Sequence, residues 1–126
     1  ALSQNDPVIS AGYPLNEFST QNRFLQSTGK VSLIPKQPFV GGYQLGYTNL
    51  IFQGMSGGPV LNAKGEVVGI NSLHSYPLWG DPYVFVDGSK PSAQERSLII
   101  RSSWAVPIDT FLCLAPAIAR VNQKVC

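Results

Sequence analysis

The stretch that most restricts how this chain can fold is Gly54-Met55-Ser56-Gly57-Gly58-Pro59. Two glycines and a proline directly after Ser56 rule against a helix there. Glycine is a poor helix former, and proline pushes the residue before it away from helical angles. β-prone runs lie on both sides: Tyr43 to Thr48 before the turn, Pro59-Val60-Leu61 and Glu66-Val67-Val68-Gly69-Ile70 after it. Glycine also permits close backbone approach and angles closed to other residues. Such a turn can expose the Ser56 oxygen while aiming backbone N–H groups at one point. Those groups are the raw material of an oxyanion hole, which stabilises the negative oxygen of a tetrahedral acyl-transfer intermediate.

The rest of the chain reads mainly as strands and turns. Val8 to Tyr13 is a short β-prone run stopped by Pro14, and Asn16 to Asn22 is polar loop. Arg23 to Ile34 is strand material around a Ser27-Thr28-Gly29-Lys30 turn. Pro35 to Gly42 is loop; then Tyr43, Leu45 and Tyr47 alternate with Gln44, Gly46 and Thr48, the period of a half-buried strand. Pro59–Leu61 and Glu66–Ser72 form strands joined by Asn62-Ala63-Lys64-Gly65, whose Asn and Gly suit a tight turn. His74 to Gln94 is rich in Pro, Gly and Asp and reads as a long loop, partly packed through its aromatic residues. Ser97 to Ile108 reads as the last long strand. Asp109 and Thr110 can cap a C-terminal helix, in which Phe111, Leu114, Ala115, Ile118, Val121 and Val125 recur at helical spacing; Pro116 predicts a kink or restart. Roughly six or seven short strands with close turn signals predict an all-β barrel or sandwich. At 126 residues the chain is one domain by size.

Gly54-Met55-Ser56-Gly57-Gly58 also satisfies G-x-S-x-G, the nucleophile elbow of α/β-hydrolases. That elbow runs strand, serine, helix, with the acid and then the histidine later in the chain. Here a hairpin follows the serine, the only histidine is His74, and the only acid between them is Glu66. The elbow is rejected. The whole string Gly-x-Ser-Gly-Gly-Pro with Val60-Leu61, followed by Gly65-Glu66-Val67-Val68-Gly69-Ile70-Asn71-Ser72, instead resembles the trypsin-like serine proteases. Ala11-Gly12-Tyr13-Pro14-Leu15 and Trp104-Ala105-Val106-Pro107-Ile108-Asp109 are similar to segments of the bacterial, HtrA-like branch, so the resemblance runs in order from about Val8 to Ile118. It implies a single six-stranded Greek-key-type β-barrel, the second barrel of that fold, with a C-terminal helix. On this reading residues 1–7 are an upstream linker and residues 109–126 the helix and tail.

The resemblance assigns Ser56 as nucleophile and the N–H groups of Gly54 and Ser56 as oxyanion hole. Leu50 matches the floor of the primary specificity pocket, where a leucine implies preference for apolar or small side chains. Ser72, Leu73 and His74 match the segment antiparallel to bound substrate; His74 is either a rim histidine or part of the pocket wall. Met55 stands where many relatives carry an aspartate that pairs with a freed N-terminal amine, and a methionine cannot form that ion pair.

A serine hydroxyl needs a general base and an orienting partner, and in this family the order is His, Asp, Ser. Before Ser56 the chain has no histidine, and its acids are Asp6 and Glu17, both in polar stretches. The resemblance therefore covers the nucleophile half alone, and the expected partners are a peptide or protein substrate and an N-terminal barrel carrying histidine and aspartate. Alone, the chain is expected to be inactive. A peptide-binding pseudoprotease is the rival reading, and a structural domain whose serine turn is merely a hairpin a third.

No metal or organic cofactor is expected: two cysteines and one histidine fall short of a four-ligand zinc site. Net charge is +2 with scattered basic residues, which gives nucleic acid no phosphate-binding stripe, and the apolar runs are too short for a membrane span. Cys113 and Cys126 would lie about 20 Å apart on one helix, so two free thiols are expected unless Pro116 or the tail breaks it. The HtrA-like resemblance points to a periplasmic or secreted location; the residues themselves leave the compartment open.

Overall fold

In the computed structural model the described residues are 2–13, 24–51, 55–73 and 82–114. Six strands, β1 (Pro7–Gly12), β2 (Leu25–Leu33), β3 (Leu45–Tyr47), β4 (Pro59–Leu61), β5 (Val67–Leu73) and β6 (Ser103–Pro107), close a barrel in the order β1-β2-β3-β6-β5-β4. Every neighbouring pair is antiparallel. Among the described residues two helices accompany it, α1 (Ala93–Arg101) and α2 (Ile108–Leu114); α2 packs on β5 and β6.

Successive residues of a strand point to opposite faces of the sheet, and this divides the core in two. Val8, Val31, Leu45, Tyr47, Met55, Val60 and Ala105 share one buried cluster within the ring of strands. Trp104, next to Ala105 on β6, belongs to the other cluster, with Phe39, Tyr83 and Ile99. Phe39 stacks on Phe85 at 4.7 Å and meets Trp104 edge-on at 5.2 Å and Tyr83 at 5.6 Å. These rings, with the isolated bridge Phe39↔Phe85, hold the segments before β3 and before α1 against β6. Trp104 lies opposite Gly46, where a Cβ would stand 2.9 Å from the indole Cη2. The glycine in β3 thus leaves room for the indole.

The barrel and the turn over Asn62–Gly65 follow the sequence expectation; Gly65 has φ +81°. Four expectations are corrected. Ser27-Thr28-Gly29-Lys30 is no turn: β2 runs through it, paired residue by residue with β1. Ser97–Arg101 is not strand but the end of α1, because Ser92 caps that helix: its hydroxyl accepts from the Glu95 N–H at 3.2 Å and bonds the Glu95 carboxylate at 3.1 Å. The strand proper starts at Ser103. The C-terminal helix begins at Ile108, with Asp109 inside its first turn rather than capping it.

The fourth correction concerns the cysteines. Cys113 is disulfide-bonded, and the only other cysteine in the sequence is Cys126, outside the described residues. The expectation of free thiols assumed an unbroken helix through Pro116, a residue that cannot donate a helix hydrogen bond. Residues 5–6, expected as linker, exchange backbone hydrogen bonds with Val31 of β2. No helix among the described residues is long and apolar enough to cross a membrane.

Candidate active site

Ser56 stands at the apex of the turn that feeds β4, and its side chain is exposed. The turn is fixed by what surrounds it. The Gly58 N–H donates to the Met55 carbonyl at 3.1 Å, closing a four-residue turn, and Gly57 at its third position has φ +91°. A positive φ there is what a type II turn requires, and glycine is the residue that adopts it without strain. The Gly57 N–H donates to the Asn71 carbonyl at 2.7 Å, and the Asn71 N–H donates to the Gly58 carbonyl at 2.8 Å. The turn is thereby bonded to β5.

Its other side rests on β1. A Cβ built at Gly58 would lie 2.2 Å from the Ala11 carbonyl oxygen, and one at Gly12 3.2 Å from Met55 Cα. Met55 is fully buried and packs in the barrel core. A methionine beneath the serine anchors the turn by apolar burial, in the place where the resemblance sets an ion-paired aspartate.

The sequence-predicted residues fall as follows. Gly57, the residue after Ser56, is bonded to Asn71 of β5, and the next residues of that strand, Ser72 and Leu73, are half-buried. The β5–β6 ladder shifts there: Asn71 pairs with Ala105 and Leu73 with Trp104, so Ser72 is the extra residue of a bulge. Bulges of this kind re-aim a strand and are common beside active sites. The Ser72 hydroxyl donates to the Ile70 carbonyl at 3.1 Å. Leu50 is 63% exposed, whereas its neighbour Ile51 is buried in the barrel core. Gly54 and His74 lie outside the described residues.

Asn71 is the residue that sequence reasoning missed. The residue is 1% exposed, and its backbone is bonded to Gly57 and Gly58 of the serine turn. Its Oδ1 accepts from Ser10 Oγ and Tyr47 Oη, both at 2.5 Å. Its Nδ2 faces the carbonyls of Ala11 at 3.4 Å and Met55 at 3.5 Å. Burial pushes the Tyr47 phenol far above its usual range, against a smaller lowering by its bond to Ser10, so the hydroxyl stays protonated and donates. The signal was present: in Val67-Val68-Gly69-Ile70-Asn71 the asparagine falls on the same inward-facing alternation as Gly69, and a buried amide must be hydrogen-bonded.

Comparison with known proteins agrees with this architecture. Residues 1–70 match the family described as trypsin-like peptidase domain, a span that includes the whole serine turn. Among solved structures, the crystal structure of the serine endoprotease from Yersinia pestis matches with a TM-score of 0.60 at 21% identity, covering 96% of this chain and 33% of that one. At that identity the likeness is one of fold, and the chain spans about a third of the protein it resembles. No curated protein matches. With the family match extending over 70 of its 126 residues, the chain belongs to the trypsin-like peptidase family.

Proposed function

We propose that residues 1–126 are the nucleophile-bearing barrel of a serine endopeptidase, and that Ser56 attacks the scissile carbonyl. The observation that carries this reading is the exposed Ser56 on a turn whose backbone is bonded to β5 on one side and packed on β1 on the other. A turn so constrained holds its N–H groups in place before substrate arrives, which is what transition-state stabilisation by preorganised donors demands. The Ser56 N–H of that turn is assigned as one donor and the N–H of Gly54, which lies outside the described residues, as the other. A histidine and an aspartate from a separate N-terminal barrel complete the site: the histidine takes the Ser56 proton as the Oγ–carbonyl bond forms and returns it to the leaving amine. Water then hydrolyses the acyl-enzyme, and the cycle needs no metal or organic cofactor.

Substrate recognition is assigned to the bulged end of β5, through Ser72 and Leu73 with His74 beside them, and to Leu50 at the pocket floor, with preference for apolar or small side chains. By itself the chain is a half-site, since its single histidine follows Ser56. That order also favours the second reading, a peptide-binding barrel without catalysis.

A fluorophosphonate probe separates the two. Incubated with the chain alone, it is expected to leave Ser56 unlabelled; incubated with the full-length protein that supplies the histidine, it is expected to modify Ser56, as mapped by peptide mass spectrometry. Labelling of neither, with both folded, refutes the peptidase reading and leaves the binding module.

A further inference from the structure

The buried amide of Asn71 has a defined orientation. Its oxygen receives two short hydrogen bonds from hydroxyls, and its NH2 group faces two carbonyl oxygens. The opposite orientation would set the oxygen against those carbonyls, acceptor against acceptor. The amide's contacts with Ala11 and Met55 are long and individually weak, but the 2.5 Å bonds from Ser10 and Tyr47 aim it.

Its reach into the serine turn is twofold. The main-chain carbonyl of Asn71 holds the Gly57 N–H, while the side-chain NH2, together with the Gly58 N–H, holds the Met55 carbonyl inward. In a planar trans peptide the C=O and N–H point in opposite directions. With the Met55 carbonyl turned into the barrel, the N–H of Ser56, on the same peptide, points outward to the face where the serine is exposed. Rotating that peptide would aim a carbonyl lone pair at the same place and repel an oxyanion.

We infer that Asn71 is a positioning residue for the oxyanion hole: its side-chain amide, aimed by Ser10 and Tyr47, keeps the Met55–Ser56 peptide oriented so that the Ser56 N–H faces the developing oxyanion. This rests on the reading of Ser56 as nucleophile.

The test uses the full-length protein and a peptide substrate. Asn71→Asp keeps the size and the two acceptor contacts but replaces the NH2 donor. It is expected to lower kcat by ~10²–10³-fold, the loss seen on removal of one oxyanion donor, with KM nearly unchanged. Ser103→Ala, which removes the bond from Ser103 Oγ to the Asn49 carbonyl elsewhere in the barrel, is the control for mere destabilisation and is expected to leave kcat unchanged in the folded fraction. If Asn71→Asp loses activity only in proportion to its folded fraction, as that control does, the inference is overturned. Should Asn71→Asp not fold, Tyr47→Phe, which removes one of the two aiming hydroxyls, is expected to lower kcat several-fold at constant KM; an unchanged kcat overturns the inference.

The geometry is also read without turnover, from hydrogen exchange of the Ser56 amide in the same protein labelled with 15N-serine. An outward N–H exchanges freely, and protection of that amide in the wild type overturns the inference. Ser56→Ala in the same series keeps the two ideas apart. Retained turnover there sinks the nucleophile, whereas its loss together with a normal Asn71→Asp sinks only the role of the asparagine.

Discussion

Gly58→Ala should be among the most damaging single-methyl additions in the molecule. The added Cβ would lie 2.2 Å from the Ala11 oxygen and 3.2 Å from the Met55 oxygen. Non-bonded heavy atoms settle near 3.5–4.0 Å for carbon, so one backbone must retreat from the other by about 1 Å. Neither is free to do so. Ala11 is paired with Gln26 in the β1–β2 ladder, and Gly57 and Gly58 hold Asn71 by hydrogen bonds of 2.7 and 2.8 Å. Overpacking typically costs about 1–3 kcal/mol. Losing the two turn bonds adds about 1 kcal/mol each, for a total of about 3–5 kcal/mol. At about 4 °C per kcal/mol for a domain of this size, Tm should fall by about 12–20 °C. Gly57→Ala is the matched control. Its Cβ would meet nothing within 4 Å, so only the strain of φ +91° remains, about 1–2 kcal/mol. Urea unfolding followed by circular dichroism on both variants gives the comparison. A Gly58→Ala cost within about 0.5 kcal/mol of the Gly57→Ala cost would show that the β1–turn contact is not tight and refute the packing argument.

Two further outcomes follow from other parts of the molecule. Phe39→Ala removes the ring shared by Phe85, Tyr83 and Trp104; it should cost about 3–5 kcal/mol in urea unfolding and speed tryptic cleavage after Arg96, in the helix that this cluster braces. Asp87, whose carboxyl is held below its usual range by the Ser89 hydroxyl and N–H and by Gln37, should stabilise the turn before α1 at neutral pH. A folded-state value below the unfolded one means that this contribution is complete above about pH 5 and is lost as pH falls through the lowered value. The Tm difference between wild type and Asp87→Asn should therefore shrink on acidification, and a difference that grows instead would contradict the assignment.

Much of the barrel could be read from local pattern, because its turns are built from residues with few alternatives. Gly57, Gly58, Pro59 and Gly65 mark the serine turn and the hairpin after it whatever the rest of the chain does. Readings failed where a residue answers to something distant. Gly29 looks like a turn glycine, yet it lies mid-strand, and a Cβ there would stand 2.3 Å from Asn49 Oδ1; it provides space for a side chain from the loop after β3. Leu98-Ile99-Ile100 has the composition of a strand, and burial of Ile99 against Trp104 satisfies it equally well as a helix. The Ser92-x-x-Glu95 capping pattern is a local signal for that helix, and Ser92 fell at the end of the stretch read as loop. Asn71 was visible as a polar residue on an apolar alternation, but its partners Ser10 and Tyr47 are 61 and 24 residues away, and only the fold brings them together.

The order in which the strands close has a kinetic consequence. β1, at the start of the chain, completes the ring by pairing with β4, and β3 pairs with β6. Contacts so distant in sequence form late, because the entropy of closing long loops is lost before the contacts repay it. The Ser56 turn leans on β1 from one side and on β5 from the other, so its shape is a product of that last closure. A growing or partly unfolded chain holds the same serine in a loop that lacks its β1 support. The fold thereby ties the shape of the serine turn to the completion of the barrel, so that only the closed ring holds the turn from both sides.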